Sequence, residues 1–270
     1  MSLTVLPSLV QGTDEWHAQR RGIVTASVVG QLISQHSLSA IDFDCPSCGA
    51  EAAAPCVGKR SPAPIKSMHP ERAQTARESD AIILDVAGGD TARGLMELLT
   101  AERITDWTDP TYVSDDMLRG IEDEPRARDL YTEHYDHVDE VGFMVRDDHG
   151  LRIGYSPDGV VGDDGLIEVK SRRQKKHLAT ILADQVPQEN VAQLQCGLYV
   201  SGREWIDYVS YCGGMPLYVK RVYPDEEWQA AIVAAVHVFE ATAADMIRTY
   251  HARTVGLIPT ERTIEQEMFL

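Results

Sequence analysis

The sequence predicts an α/β fold in which a mixed central β-sheet is flanked by helices. Apolar residues recur at spacings of three and four in several long segments, and strict alternation takes over in residues 151–170 and 205–222. The elements follow the order helix, helix, strands, helix, strands, helix, which suits a layered α/β sandwich. With 270 residues, 43% of them hydrophobic, the chain can bury one large core.

Residues 13–35 read as two helical pieces. Thr13 is the N-cap of the first, with Asp14 and Glu15 in its first turn, and Thr25-Ala26-Ser27 opens the second. Residues 42–69 break the pattern, being rich in Cys, Pro, Gly and Ala, and read as a loop-like insertion. Residues 70–104 and 116–135 read as helices, the second carrying Leu118, Ile121, Ala127, Leu130 and Tyr131. Leu151, Ile153 and Tyr155 then alternate, and the turn Gly162-Asp163-Asp164-Gly165 joins two antiparallel strands, the second being Leu166 to Lys170. A helix over 188–200 and a strand pair, 205–211 with 217–222, follow. The last helix places Trp228, Ile232, Val236, Phe239, Ala243, Met246 and Tyr250 on one apolar stripe that packs on the sheet. No repeats occur, so the expectation is a single domain over 1–270 with the insertion 42–69 inside it and a tail over 254–270.

A net charge of −17 argues against a broad basic surface of the kind that grips nucleic acid by neutralising phosphates. Local clusters remain, at Arg20-Arg21, Arg172-Arg173 and Lys175-Lys176. No signal peptide and no apolar run approaching bilayer length are read, so a cytoplasmic protein with no membrane partner is expected. Three of the five cysteines crowd together, which fits a reduced compartment better than a disulfide framework.

The segment SPDGVVGDDGLIEVKS, residues 156–171, carries the chemistry. On a strand, Glu168 and Lys170 project from one side while Val169 points to the other. Asp158, at the end of the partner strand, lies within reach across the ladder. Two hard carboxylate oxygens with the Val169 carbonyl suit Mg²⁺ or Mn²⁺, leaving positions for water and a phosphate. Lys170 would orient that water or stabilise developing charge. The bland alternative is a cross-strand ion pair beside an Asp-Gly turn.

Asp-x9-Glu-x-Lys, with Pro157 before the aspartate, resembles the PD-(D/E)xK nuclease signature. QGTDEWHAQRRGIVTAS (11–27), GIEDEPRARDLYTEHY (120–135), SPDG with LIEVK, and ENVAQLQCGLYVSG (189–202) occur in the order found in the lambda-type phage exonucleases, the YqaJ-like viral recombinases. The resemblance implies a restriction-endonuclease-like core. It also implies a Mg²⁺-dependent 5′ to 3′ exonuclease that resects one strand of linear double-stranded DNA and leaves 3′ overhangs for phage recombination. It places Glu124 in the metal cluster, Gln193 in ordering the catalytic site, and Arg20 at the terminal 5′-phosphate. The start of a helix at Thr25, with the Ser27 hydroxyl, would also suit that phosphate. A single-strand annealing protein as partner, a trimeric ring around the DNA, and a phage- or prophage-encoded protein in the bacterial cytoplasm are implied as well. A structure- or site-specific endonuclease, or a DNA-end-binding scaffold with a vestigial site, are the competing readings.

The insertion departs from that pattern. Cys45-x2-Cys48-x7-Cys56-x12-His69 offers a closed Cys₃His structural Zn²⁺ site, with Asp44 as the competing fourth ligand. Metal would supply folding energy that the small apolar content of this segment does not. Lys59, Arg60 and Lys66 are candidate contacts to DNA or a partner, and Cys196 and Cys212 read as packing residues.

Overall fold

A computed structural model describes residues 2–58, 61–79, 81–110 and 112–262. In chain order the elements are β1 (Ser2–Leu6), α1 (Asp14–Arg20), β2 (Val24–Thr25), α2 (Ala26–Val29), β3 (Ile33–Ser37), β4 (Val57–Gly58), β5 (Ser61–Pro64), α3 (Pro70–Glu78), β6 (Ile82–Val86) and α4 (Asp90–Thr105). There follow α5 (Asp115–His134), β7 (Phe143–Asp148), β8 (Leu151–Tyr155), β9 (Gly159–Val161), β10 (Gly165–Ser171), α6 (Gln174–Ala183), α7 (Gln188–Ser201), β11 (Trp205–Tyr211), β12 (Tyr218–Val222) and α8 (Glu226–Thr254).

The sheet is mixed, as expected, but divided. One four-stranded sheet has the order β1-β7-β8-β2 and a second the order β12-β11-β10-β9, with β3-β6 and β4-β5 as separate pairs. Strand β10 runs parallel to β11 and antiparallel to β9, and the parallel link is made through α6 and α7. Its burial is continuous from Gly165 to Val169 because both faces are covered. Leu166 packs into the main core with Leu194, Leu198 and Phe239, whereas Ile167 and Val169 pack with Ala127 and Tyr131 of α5. The pleat therefore sends Glu168 and Lys170 to the α7 side and Val169 to the α5 side.

Several expectations need correction. The turn at residues 162–164 joins β9 to β10, while β8 pairs with β7 and β2 in the other sheet. Pro157 has no N–H with which to continue a ladder, so the chain changes sheets there. The helix expected over 70–104 is two helices with β6 between them, and the second helix expected before residue 35 stops after four residues and gives way to β3, the partner of β6. Short apolar runs such as Ile82-Ile83-Leu84 satisfy either period, and pairing between distant segments decides the outcome. Strands β1 and β7 and helix α6 were not foreseen. Helix α8, 29 residues long with a window of mean hydropathy 1.6, is apolar and long enough to cross a membrane by length and composition, contrary to the expectation that no such run exists. Its stripe of Trp228, Ile232, Ala235, Val236, Phe239 and Ala243 is buried in the core. Of the tail expected over 254–270, residues 263–270 lie outside the described residues, as do Lys59 and Arg60.

Candidate active site

Strand β10, the β8–β9 connection, α5, α7 and α1 converge on an open cleft of about 260 Å³. Asp158, Glu168, Val169, Lys170, Gln193, Glu124, Arg20 and Ser27 all line it. Thr25 lies just behind, bonded to Arg20 and Ser27.

Glu168 is 1% exposed. Its Oε1 accepts from Lys170 Nζ at 2.7 Å and from Gln193 Nε2 at 2.5 Å, and its Oε2 accepts from the Tyr155 hydroxyl at 3.2 Å. Tyr155 reaches it because Gly197 on α7 leaves room for the ring, where a Cβ would lie 2.8 Å from Tyr155 Cζ. Neither Tyr155 nor Gly197 was singled out from sequence, since nothing local marks a tyrosine as the neighbour of a distant strand.

Asp158 Oδ2 accepts from the Val169 N–H at 2.6 Å, which ties the β8–β9 connection to β10. Burial, then the charges of Glu168 and Glu124, push the Asp158 carboxyl well above the usual carboxylate range, against the opposing pull of Lys170. Burial alone would lower Lys170, but Glu168 and Asp158 carry it above its ordinary value. Three mutually repelling carboxylates facing one ammonium form an electron-rich, all-oxygen donor set, and such a set fits a hard divalent cation.

In the acidic run of α5, Glu122 is exposed, Asp123 is buried and Glu124 faces the cleft. Asp123 Oδ2 accepts from Ser171 Oγ at 2.7 Å and so fastens α5 to the end of β10. Glu124 Oε1 is paired with Arg128 Nη2 at 2.9 Å, and Arg128 Nη1 also holds Glu140 at 2.5 Å. Burial raises the Glu124 carboxyl, with Arg128 opposing.

Arg20 lies with its guanidinium 4.0 Å from the centre of the Trp16 ring, and Trp16 is itself fixed by Nε1 donating to Ser156 Oγ at 2.9 Å. Arg20 Nη2 donates to Ser27 Oγ at 3.2 Å and to Thr25 Oγ1 at 3.4 Å. Burial lowers the guanidinium to about 10, with Glu102 acting the other way, so it stays charged at neutral pH. Arg21 points elsewhere, to Asp106 at 2.8 Å. The anticipated helix does begin after Thr25, but it is too short to give a strong positive end. Helix α2 has four residues and Thr25 makes no side-chain cap bond, so any anion site rests on the Arg20, Thr25 and Ser27 side chains.

The second centre lies in the insertion. The donor atoms of Cys45, Cys48, Cys56 and His69 all lie within 4.8 Å of one another, with His69 Nδ1 3.3 Å from Cys45 Sγ. Three sulfurs and one imidazole nitrogen suit a closed tetrahedral zinc site. Backbone N–H groups around Cys48 lower its thiol to about 6, as a thiolate ligand requires. Asp44 is not part of this set, since its Oδ1 accepts from the Ala52 N–H at 2.8 Å and braces the turn. Beneath the ligands lies Arg72, 0% exposed, which sequence reasoning missed. Its guanidinium donates to the carbonyls of Phe43 (2.7 Å), Ala54 (2.8 Å), Glu51 (2.8 Å) and Ile41 (3.2 Å), and approaches Cys56 Sγ at 3.5 Å. One zinc per chain is the expected result of elemental analysis, and it should be lost in Cys48→Ser. Cys196 is buried in the core, which pushes its thiol up, and it packs as expected.

Residues 80–204, which contain β6 through α7, match the YqaJ-like viral recombinase domain family. Within this stretch fall Glu124, Asp158, Glu168, Lys170 and Gln193. Residues 11–88 match a family described as a putative DNA-binding phage zinc finger domain, which takes in Arg20 as well as the four Cys and His ligands. Among solved structures, the alkaline exonuclease LHK-Exo from Laribacter hongkongensis is similar at 26% identity, with a TM-score of 0.64, over 91% of this chain and 100% of that one. The structure of LHK-Exo in complex with dAMP matches with the same figures. No curated protein sequence matches. The match to the recombinase domain and this likeness support a nuclease.

Proposed function

We propose that the protein is a divalent-metal-dependent exonuclease that degrades one strand of linear double-stranded DNA from its 5′ end, leaving 3′ overhangs for phage recombination. The observation that carries this reading is the meeting, in one cleft, of the carboxylates of Asp158, Glu168 and Glu124 with Lys170 and with Arg20, whose guanidinium bonds the hydroxyls of Thr25 and Ser27. The similarity to a nuclease whose structure is known in complex with dAMP supports a deoxynucleotide ligand.

Asp158, Glu168 and the Val169 carbonyl would hold Mg²⁺ or Mn²⁺, with Glu124 able to join on leaving Arg128. When bound, such an ion supplies charge neutralisation at the scissile phosphate and lowers the pKa of a coordinated water. Lys170, held 2.7 Å from Glu168, is placed to orient that water and to offset charge that develops on the phosphate. Gln193 and Tyr155 keep the Glu168 carboxylate from rotating by occupying one oxygen each. Arg20 would take the terminal phosphate in a bidentate contact, helped by the Thr25 and Ser27 hydroxyls. With the 5′ end fixed there, the first phosphodiester falls at the carboxylates, which is the condition for cutting from an end. Zinc in the Cys45, Cys48, Cys56 and His69 site is structural in this reading. A ring of three subunits, an annealing protein receiving the exposed strand, and action in the host cytoplasm complete it.

The test is digestion of linear and closed-circular duplex with Mg²⁺, with and without a 5′-phosphate. Loss of linear DNA alone supports the exonuclease. Nicking of circles would instead indicate an endonuclease, and inertness a DNA-end scaffold. Arg20→Ala should reduce the preference for phosphorylated over unphosphorylated ends by about tenfold, the loss of one charge-assisted pair. An unchanged ratio removes Arg20 from that role.

A further inference from the structure

The basic cluster that follows the catalytic strand has no part in the cleft chemistry. Strand β10 ends at Ser171, and Arg172-Arg173 and Lys175-Lys176 come directly after it. Arg172 is consumed internally, by Tyr208, Glu189 and Asn190. Arg173, Lys175 and Lys176 are exposed. Helix α6 begins here with no acidic residue in its first turn, so its positive end adds to these charges.

Across from Arg173, on the first turns of α5, stands Arg119. Both guanidiniums close on a single oxygen of one carboxylate. Asp116 Oδ1 accepts from Arg119 Nη1 at 2.7 Å and from Arg173 Nη2 at 2.7 Å and Nε at 3.0 Å. The side chains remain in contact with water, with 58% of Asp116 and 69% of Arg173 exposed. Arg119 is held in place by Nε donating to Ser171 Oγ at 3.0 Å, and Ser171 lines the cleft. Two forked cations thus converge on a site the size of one oxyanion, three residues or roughly 10 Å along the strand from Glu168.

We propose that Arg119 and Arg173, with Lys175 and Lys176, form a ridge that binds the phosphodiester backbone of DNA beyond the scissile bond, and that Asp116 occupies the ridge when no DNA is bound. A phosphodiester carries the same single charge as the carboxylate and offers two unesterified oxygens to the two guanidiniums, one each. In a chain of net charge −17, an internal acid on the ridge also restrains non-productive binding to nucleic acid. The inference rests on the nuclease reading for its ligand.

The experiment measures the affinity of the full chain for a linear duplex over a range of KCl concentrations, without added divalent cation so that the DNA stays intact. In the double variant Arg173→Ala, Lys175→Ala the slope of log affinity against log salt should fall by about two phosphate contacts. Both residues are exposed, so the fold should survive, as a circular dichroism melt will register. Asp116→Asn should bind several-fold more tightly than the wild type. Glu122→Gln, which removes a neighbouring exposed charge on the same helix, should not. An unchanged slope in the double variant, or equal effects of Asp116→Asn and Glu122→Gln, overturns the ridge. Digestion of linear duplex by the wild type reports on the nuclease reading separately. An inert wild type with the slope change intact sinks that reading and leaves the ridge standing, whereas an active one with an unchanged slope does the reverse.

Discussion

Glu168→Gln should lower the rate of strand cleavage at least about a thousandfold, equivalent to roughly 4 kcal/mol of transition-state stabilisation. The substitution keeps the side chain's shape. Its carbonyl oxygen can still accept from Lys170 and Gln193, and its NH₂ can donate to the Tyr155 hydroxyl, so the hydrogen bonds around this buried residue are retained in number. What is lost is the negative charge, and with it the strongest hard ligand in the cleft. The melting temperature should stay within a few degrees of the wild type, because no core volume changes. The reading fails if the variant turns over linear DNA at the wild-type rate, measured single-turnover with saturating Mg²⁺. Lys170→Met in the same assay separates ligand loss from loss of the ammonium: it should cut slowly but still take up Mg²⁺ in a calorimeter, whereas Glu168→Gln should lose that uptake.

Arg72→Met should release the knuckle. The side chain is of similar length, yet the carbonyls of Phe43 and Ala54 would lose the Arg72 donor, and those of Ile41 and Glu51 would keep only the N–H groups of Ala53 and Ala54. Orphaned buried acceptors cost about 1–3 kcal/mol each where water cannot reach them. Even with partial rescue by water, a loss of about 3–4 kcal/mol in the local fold would weaken zinc binding by a factor of about 10² to 10³. There is an electrostatic part too. Three thiolates around a divalent ion carry a net negative charge, and the guanidinium 3.5 Å from Cys56 Sγ is the buried cation that offsets it. Competition against a chromophoric zinc chelator checks the affinity, and amide hydrogen exchange shows whether the opening is confined to residues 40–72. Wild-type zinc retention in Arg72→Met would show that the ligands alone hold this segment. The main core, built on β10, α7 and α8, should be untouched, since Arg72 makes no contact with it among the bonds described.

The helices legible in the sequence were those with a cap or a long period, such as α1 behind Thr13, whose Oγ1 accepts from the Trp16 N–H at 3.3 Å, and α5 by its apolar spacing, its cap Ser114 being shown only by the structure. The elements that were misread were short. β3 and β6 exist because each supplies the other with hydrogen-bond partners 45 or more residues away in the chain, and no window of sequence contains both. The zinc ligands were legible because a Cys-x2-Cys turn brings two donors together by its own geometry. Arg72 was not, because a lone arginine in a helical segment shows no preference for the four carbonyls it ends beneath.

By itself the sequence determined the chemistry available: which carboxylates, which lysine, which thiols, and the alternation that turns Glu168 and Lys170 to one side of a strand. Only the tertiary structure decided which groups meet. It separated Asp123 from Glu124, set Tyr155 against Glu168 through a gap left by Gly197, cut the helix expected at Thr25 to four residues, and set Arg119 and Arg173 on one aspartate. The physical reason is that hydrogen-bond periods and turn preferences act over a few residues, whereas burial and charge act through space and depend on how distant segments pack.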